Sequence, residues 1–412
     1  MNNHLPNTPP PKTHPAHTPP PATEDTAGNK GARAFQPASM SDMDDAPMDD
    51  AHRRKATDET PAPPNPHGQP ANPHGRDTRD THPTQPTHPT HSTQPPHPTP
   101  LPQPVQPTPP AQSALPAWLR ALYPFEPRAH PTPRGARMSY LDEGPRGATE
   151  AVLMLHGNPT WSFFYRDLIR DLTPAHRCIA PDHIGMGLSE KPSEHDYPYT
   201  LATRIADIET LVAALGLTRI HLVVHDWGGA IGFGLATRRP RLIGRLVIMN
   251  TAAFPDTHIP GRIALCRGDW LGKCIVRGLN GFAGPATWMA MHRRRLTRDE
   301  KRGYLYPYRN WANRVALHQF VRDIPLELDH PSRPLLEEIE EKLPLLAGPE
   351  HPKLLLWGKR DFCFNKHFLT RWRKIYPDAR HVRFKDAGHY LLDDGGKEVR
   401  ARITTFLKTP PS

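Results

Sequence analysis

The stretch "LVVHDWGGAIG" (residues 222–232) runs an apolar segment into a histidine, an aspartate, a tryptophan and two glycines. A strand, a tight turn and a helix in that order lift a nucleophile above the edge of a sheet. Asp226 stands at the turn, and Gly228 and Gly229 let the following helix approach the strand closely. Val224 occupies the place where the G-x-S-x-G pattern has its first glycine, so a search for serine nucleophiles passes over this site. A carboxylate at the turn suits displacement at an alkyl carbon. It attacks without prior deprotonation and leaves an enzyme ester, whose own carbonyl water can then cleave.

The cleavage step needs a base. Asp361, in "WGKRDFCF", follows the apolar run "KLLLWG" (353–358), and His389, in "DAGHYLLDD", follows "ARHVRF" (379–384). His389 is the expected general base, with Asp361 fixing its tautomer and stabilising its charged form. Upstream, "LHGNPTW" (155–161) places a loop after another apolar run, where the backbone N–H of Asn158 pairs with that of Trp227 as an oxyanion hole. The side-chain amide of Asn158 and the indole of Trp227 are equally suited to bind a leaving group or only to shape a pocket. Taken singly, Asp226 reads as a helix cap, His389 as a core histidine and Asp361 as a turn former. The order of the segments favours the catalytic reading.

These residues need a scaffold, and the rest of the chain predicts one. "ARMSYLDEG" (136–144), "AVLMLHG" (151–157), "RCIAPDHIGMG" (177–187), "IHLVVHD" (220–226), "RLVIMNTAA" (245–253), "KLLLWG" and "ARHVRF" read as strands. "WSFFYRDLIRDL", "YTLATRIADIETLVAAL" (199–215) and "AIGFGLATRRP" between them have helical spacing, the second opening near Thr200 and the third ending before Pro240. The alternation predicts an α/β fold with a doubly wound, mostly parallel sheet. Residues 255–345 lack strand runs and read as a helical cap inserted between a first core part (114–254) and a second (346–412), over the strand ends where ligands bind.

Residues 1–110 hold 28 of the 53 prolines and 10 of the 25 histidines, with Phe35 as their one aromatic residue. Such a segment buries too little apolar surface to offset its ordering entropy, so residues 1–113 read as a disordered Pro/His/Thr-rich tail, its histidines too irregularly spaced for a metal site. Residues 114–412 carry 44 Lys and Arg against 31 Asp and Glu. That basic balance reads as a solvated face: apart from Arg293, Arg294 and Arg295 the arginines are scattered, and no nucleic-acid motif accompanies them. No dinucleotide, phosphate or metal motif occurs in the core, so no cofactor and no metal are expected. Four cysteines (Cys178, Cys266, Cys274, Cys363) at spacings of neither zinc nor disulfide frameworks suggest a reducing cytoplasm. No apolar run is long enough to span a bilayer, and "MNNHLPNTPP" has no signal-peptide core.

"HGNPTWSFFYR", "PDHIGMGLSEKP" and "HDWGG" resemble the haloalkane dehalogenase group of α/β-hydrolases. The resemblance implies Asp226 as nucleophile, His389 as base, Asp361 as acid, and Asn158 with Trp227 as the leaving-group pair. "LVVHDWGGAIGFGLATRRP", "RLVIMNTAAFP", "LYPYRNWANRVALHQFVRDIPL" and "WGKRDFCFN" resemble one branch more closely, the β-lactone decarboxylases of bacterial long-chain olefin biosynthesis. That branch implies conversion of a cis-β-lactone with two long alkyl chains to a cis-alkene and carbon dioxide. It also implies two partner enzymes, a β-lactone synthetase and a ketone reductase. The resemblance covers residues 118–408 and leaves the tail unexplained. Phe282, Trp288, Met289 and Trp311 are candidates for an alkyl channel or for packing the cap. Three other readings stay open: a halide-releasing dehalogenase; an epoxide hydrolase using Tyr304, Tyr306 or Tyr308 as acids; and an interaction protein recruited through its proline-rich tail.

Overall fold

The apolar runs become the centre of one sheet. In a computed structural model, which describes residues 115–408, eight strands occur: β1 (Arg128–Pro131), β2 (Arg137–Glu143), β3 (Glu150–Leu155), β4 (Arg177–Pro181), β5 (Arg219–Asp226), β6 (Ile243–Thr251), β7 (Lys353–Gly358) and β8 (Arg380–Phe384). The expected tail, residues 1–113, lies outside the described residues. Across the sheet the order is β1-β2-β4-β3-β5-β6-β7-β8. The β1/β2 and β2/β4 pairs are antiparallel and the others parallel. β1 escapes a sequence reading because "RAHP" shows no alternation and ends in proline, which an edge strand tolerates.

The apolar runs within β3, β5 and β6 follow from burial on both faces. Val152 and Met154 of β3 join Val223, Val247 and Met249 in one layer. Leu153 and Leu155 join Leu222, Val224 and Ile248 in the other. Helix Leu201–Ala214 starts at Thr200, whose hydroxyl accepts the Thr203 N–H. Helix Trp227–Arg238 begins where β5 ends, with no intervening loop.

Between β6 and β7 the described chain is helical, with helices Gly261–Cys266, Ala283–Met289, Arg298–Leu305, Val315–Arg322 and Arg333–Lys342 among its elements. Ion pairs tie this insertion to the core. Arg166, beside the 3₁₀ turn Ser162–Tyr165, meets Asp393 at 2.5 Å and Glu300 at 3.2 Å, and Asp393 also accepts the Tyr304 hydroxyl. The basic run at 293–295 is not simply a solvated face. Arg293 pairs with Asp386 (2.7 Å) and Glu398 (2.9 Å), and Arg294 with Glu300 (2.8 Å). Two of these acidic partners lie about a hundred positions away, beyond the reach of any local charge pattern. Among the described residues no helix is long and apolar enough to cross a membrane.

Candidate active site

β5 delivers Asp226 into a backbone conformation that most residues avoid, with φ 51° and ψ −127°. Close packing holds the turn there. A Cβ on Gly157 would lie 1.9 Å from Asp226 Oδ1, and one on Gly228 would lie 1.9 Å from the Leu155 carbonyl oxygen. The loop after β3 can therefore press its backbone onto the carboxylate, and the Asn158 N–H donates to Asp226 Oδ1 at 2.6 Å. Gly157→Ala is expected to push the carboxylate off that donor and to lower kcat by roughly 10²-fold, the cost of an ångström of misplacement. Turnover and thermal unfolding of the variant check this; full activity would show that the close approach is dispensable.

The loop is itself pinned from behind. His156 Nδ1 lies 2.8 Å from the Gly157 carbonyl oxygen, and the His183 N–H donates to His156 Nε2 at 3.2 Å. Asp182 accepts the Ser162 N–H at 2.7 Å and the Leu188 N–H at 2.8 Å. Burial raises the Asp182 carboxyl to about 6 despite these donors. The tokens "LHG" and "PDH" carry these residues, but nothing in either says that they brace a loop.

Asp361 and His389 arrive from the ends of β7 and β8. His389 Nδ1 donates to Asp361 Oδ2 at 2.8 Å, and its Nε2 lies 3.7 Å from Asp226 Oδ2. Asp361 is fixed in turn by the N–H groups of Cys363 (2.7 Å) and Phe364 (3.0 Å) on its Oδ1. Burial works against a charged His389 ring, but the attraction and hydrogen bond of Asp361, with the charge of Asp226, outweigh it and raise the histidine above its usual value. Burial also raises Asp226, while His389 and the backbone N–H groups of Trp227 and Asn158 pull it back. His225, whose ring lies tilted against that of His389 with centroids 4.6 Å apart, is held neutral by burial; its Nε2–H donates to the His389 carbonyl oxygen at 2.8 Å. All five sequence-expected residues thus meet at one point.

All but Asp361, which lies behind His389, line the floor of an apolar cavity of about 200 Å³. Its walls include Phe254, Ile263, Phe282, Met289, Val321 and Leu336, with Asp226, Trp227, Asn158 and His389 beneath. Phe282 and Met289 line it as expected; Trp288 and Trp311 do not, being 53% and 43% exposed. Tyr304, Tyr306 and Tyr308 are not among the wall residues. Tyr308 turns its hydroxyl to the Thr160 carbonyl oxygen at 3.3 Å, and Tyr304 to Asp393. The Asn158 amide gives one proton to the Leu317 carbonyl oxygen at 3.0 Å. Asp256, His258 and Arg262 at the cavity wall, and Cys363, were not anticipated.

A buried carboxylate on a strained turn, flanked by a histidine–aspartate pair and two backbone donors, can form and resolve a covalent bond to carbon. Residues 150–396 match the family model described as alpha/beta hydrolase fold. A cis-3-alkyl-4-alkyloxetan-2-one decarboxylase of Shewanella oneidensis is 44% identical over 293 residues, covering 70% of this chain and 90% of its own. Haloalkane dehalogenase 2 of Mycobacterium tuberculosis is 32% identical over 295 residues, covering 68% and 95%. Among solved structures, the haloalkane dehalogenase DbeA of Bradyrhizobium elkani superposes with a TM-score of 0.60 at 26% identity, over 66% of this chain and 94% of its own. The chain belongs to the α/β-hydrolase fold family and, within it, to the group that holds these dehalogenases and decarboxylases.

Proposed function

We propose that this enzyme decarboxylates cis-3-alkyl-4-alkyloxetan-2-ones carrying long alkyl chains, with Asp226 as nucleophile, His389 as its partner and Asp361 orienting His389. The proposed cap, residues 255–345, roofs the alkyl-binding cavity. One observation carries the reading: an apolar cavity ends on a carboxylate whose Oδ1 already occupies the Asn158 N–H at 2.6 Å. With that donor in use, attack at the ring carbon bearing oxygen is favoured over attack at the carbonyl, because it needs no oxyanion hole.

In this step an Asp226 oxygen bonds to the ring carbon as its bond to the ring oxygen breaks, freeing the substrate carboxylate. Trp227 and the second amide proton of Asn158 are the donors proposed to receive it. The bond to that carboxylate then breaks, carbon dioxide leaves, its electron pair forms the double bond, and the Asp226 carboxylate departs unchanged. Inversion at the attacked carbon followed by anti departure gives the cis-alkene. No water and no proton enter. A charged His389 stabilises the departing Asp226 carboxylate, whereas a neutral one activates water and diverts the ester to a hydroxy acid. His389 is held above the usual imidazole value, charged below its own pKa and neutral above it. The ratio of alkene to hydroxy acid is therefore expected to fall as pH rises through that pKa, and product analysis across pH 6 to 10 checks the sign; a rising ratio contradicts it.

The dehalogenase reading keeps the same residues, with halide between Trp227 and Asn158, and is supported by the 32% relative. Turnover in ¹⁸O-water separates the two. Hydrolysis writes solvent oxygen into Asp226, whereas decarboxylation leaves it unlabelled. An Asp226 peptide that gains label in step with lactone consumption overturns the proposal. An epoxide hydrolase is disfavoured by the orientation of Tyr304 and Tyr308. The lactone-forming synthetase and the ketone reductase are proposed as partners, since a dialkyl lactone is poorly soluble; co-purification with neither from the native host contradicts this. A cytoplasmic setting is supported by four cysteines that are all free thiols, and cell fractionation tests it.

A further inference from the structure

Just past β6, Asp256 Oδ1 lies 2.8 Å from His258 Nδ1, and from helix Lys366–Ile375 His367 brings Nε2 to within 2.6 Å of Asp256 Oδ2. The two imidazoles lie against each other, tilted by 31° with centroids 4.1 Å apart, and the three candidate ligand atoms lie within 4.8 Å of one another. The Asp256 side chain is 8% exposed, while those of His258 and His367 are 60% and 41% exposed. The carboxylate is thus the floor of a small cup that opens to solvent between two rings. We propose that Asp256, His258 and His367 bind a divalent transition-metal ion, with Zn²⁺ the best match, at the mouth of the active-site cavity.

Two imidazoles and one carboxylate form a donor set suited to zinc, which leaves one position for water. Metal–ligand distances of about 2.0–2.2 Å place tetrahedral donors roughly 3.3–3.6 Å apart, so the present contacts to Asp256 need open by about 0.5–1 Å. Each ring now turns an N–H toward Asp256; on binding, that proton moves to the ring's outer nitrogen and none is lost. The opposing charge is Arg371, whose Nη1 is 3.2 Å from Asp256 Oδ2. It keeps the Pro255 carbonyl oxygen (2.7 Å) and Glu340 (2.5 Å) as partners when that oxygen turns to the ion. With Lys366 and Lys374 on the same surface, the site is weaker than a closed structural zinc site.

The position gives the ion a consequence. Asp256 and His258 line the cavity, and so does Phe368, next to His367. The ion would join the loop after β6 to the helix after β7 and restrain the route by which a long-chain ligand passes. The inference rests on this cluster alone and holds whichever substrate the enzyme turns over.

The test is Zn²⁺ titration calorimetry of the full chain at pH 7.5, wild type against H258Q/H367Q, with amide exchange of residues 256–260 and 366–370 followed in parallel. Any uptake by the histidines of residues 1–113 is common to both proteins, so the difference between the two isotherms is the readout. Wild type is expected to bind one further equivalent, and Zn²⁺ is expected to slow exchange in both segments in wild type alone. D256N, which keeps both rings, is expected to lose the same equivalent. Identical isotherms, or exchange that Zn²⁺ leaves unchanged in wild type, overturn the proposal.

Discussion

Asp226→Ala is expected to form alkene roughly 10⁴- to 10⁶-fold more slowly than wild type, the range seen when a member of a covalent catalytic unit is removed. Alanine keeps the Cβ, so the turn at φ 51° is no more strained than before, and the helix that starts at Trp227 is untouched. Loss of the carboxylate also relieves the burial cost that raises Asp226, so the variant is expected to unfold at the same temperature or higher. Alkene quantified by gas chromatography, with an unfolding curve beside it, checks both parts. Residual alkene within tenfold of wild type would mean that the strained turn presents some other group to the substrate.

His389→Gln is expected to separate the two halves of the chemistry. A long-chain bromoalkane should alkylate Asp226 and stop there, because removing a general base slows ester cleavage by about 10²- to 10⁴-fold. The ester then accumulates and adds the mass of the alkyl group to the peptide containing Asp226. A cis-lactone needs no water, so the same variant is expected to lose far less alkene output than bromoalkane turnover. The glutamine cannot carry the charge that Asp361 and Asp226 hold on His389, and some loss on the lactone follows from that alone. Equal losses on both substrates would place water activation in the lactone reaction as well and contradict the proposed route.

The site was legible where its chemistry is written locally. Asp226 sits where an apolar run meets paired glycines, Asp361 follows the fully buried run of β7 and His389 follows the mostly exposed edge strand β8, so the order of the strands brings them together. Phe282 and Met289 could not be told from Trp288 and Trp311, because the helices that carry them are short and the sequence does not say which face meets the core. Asp256, His258 and His367 were invisible for another reason: about a hundred residues of insertion and a strand separate the first two from the third. The bracing of the loop after β3 by His156, His183 and Asp182 has the same character, since a hydrogen-bonding residue in a loop does not announce its partner. β1, short and ending in proline, lacks the alternation by which edge strands are recognised.

The most direct test of the account offers the purified full-length protein a cis-dialkyl oxetanone and, separately, long-chain bromoalkanes, and measures alkene, carbon dioxide and halide. Alkene and carbon dioxide are expected in equal amounts from the lactone, with halide release slower by orders of magnitude. Brisk halide release with no alkene would contradict that expectation and leave a dehalogenase built on the same aspartate.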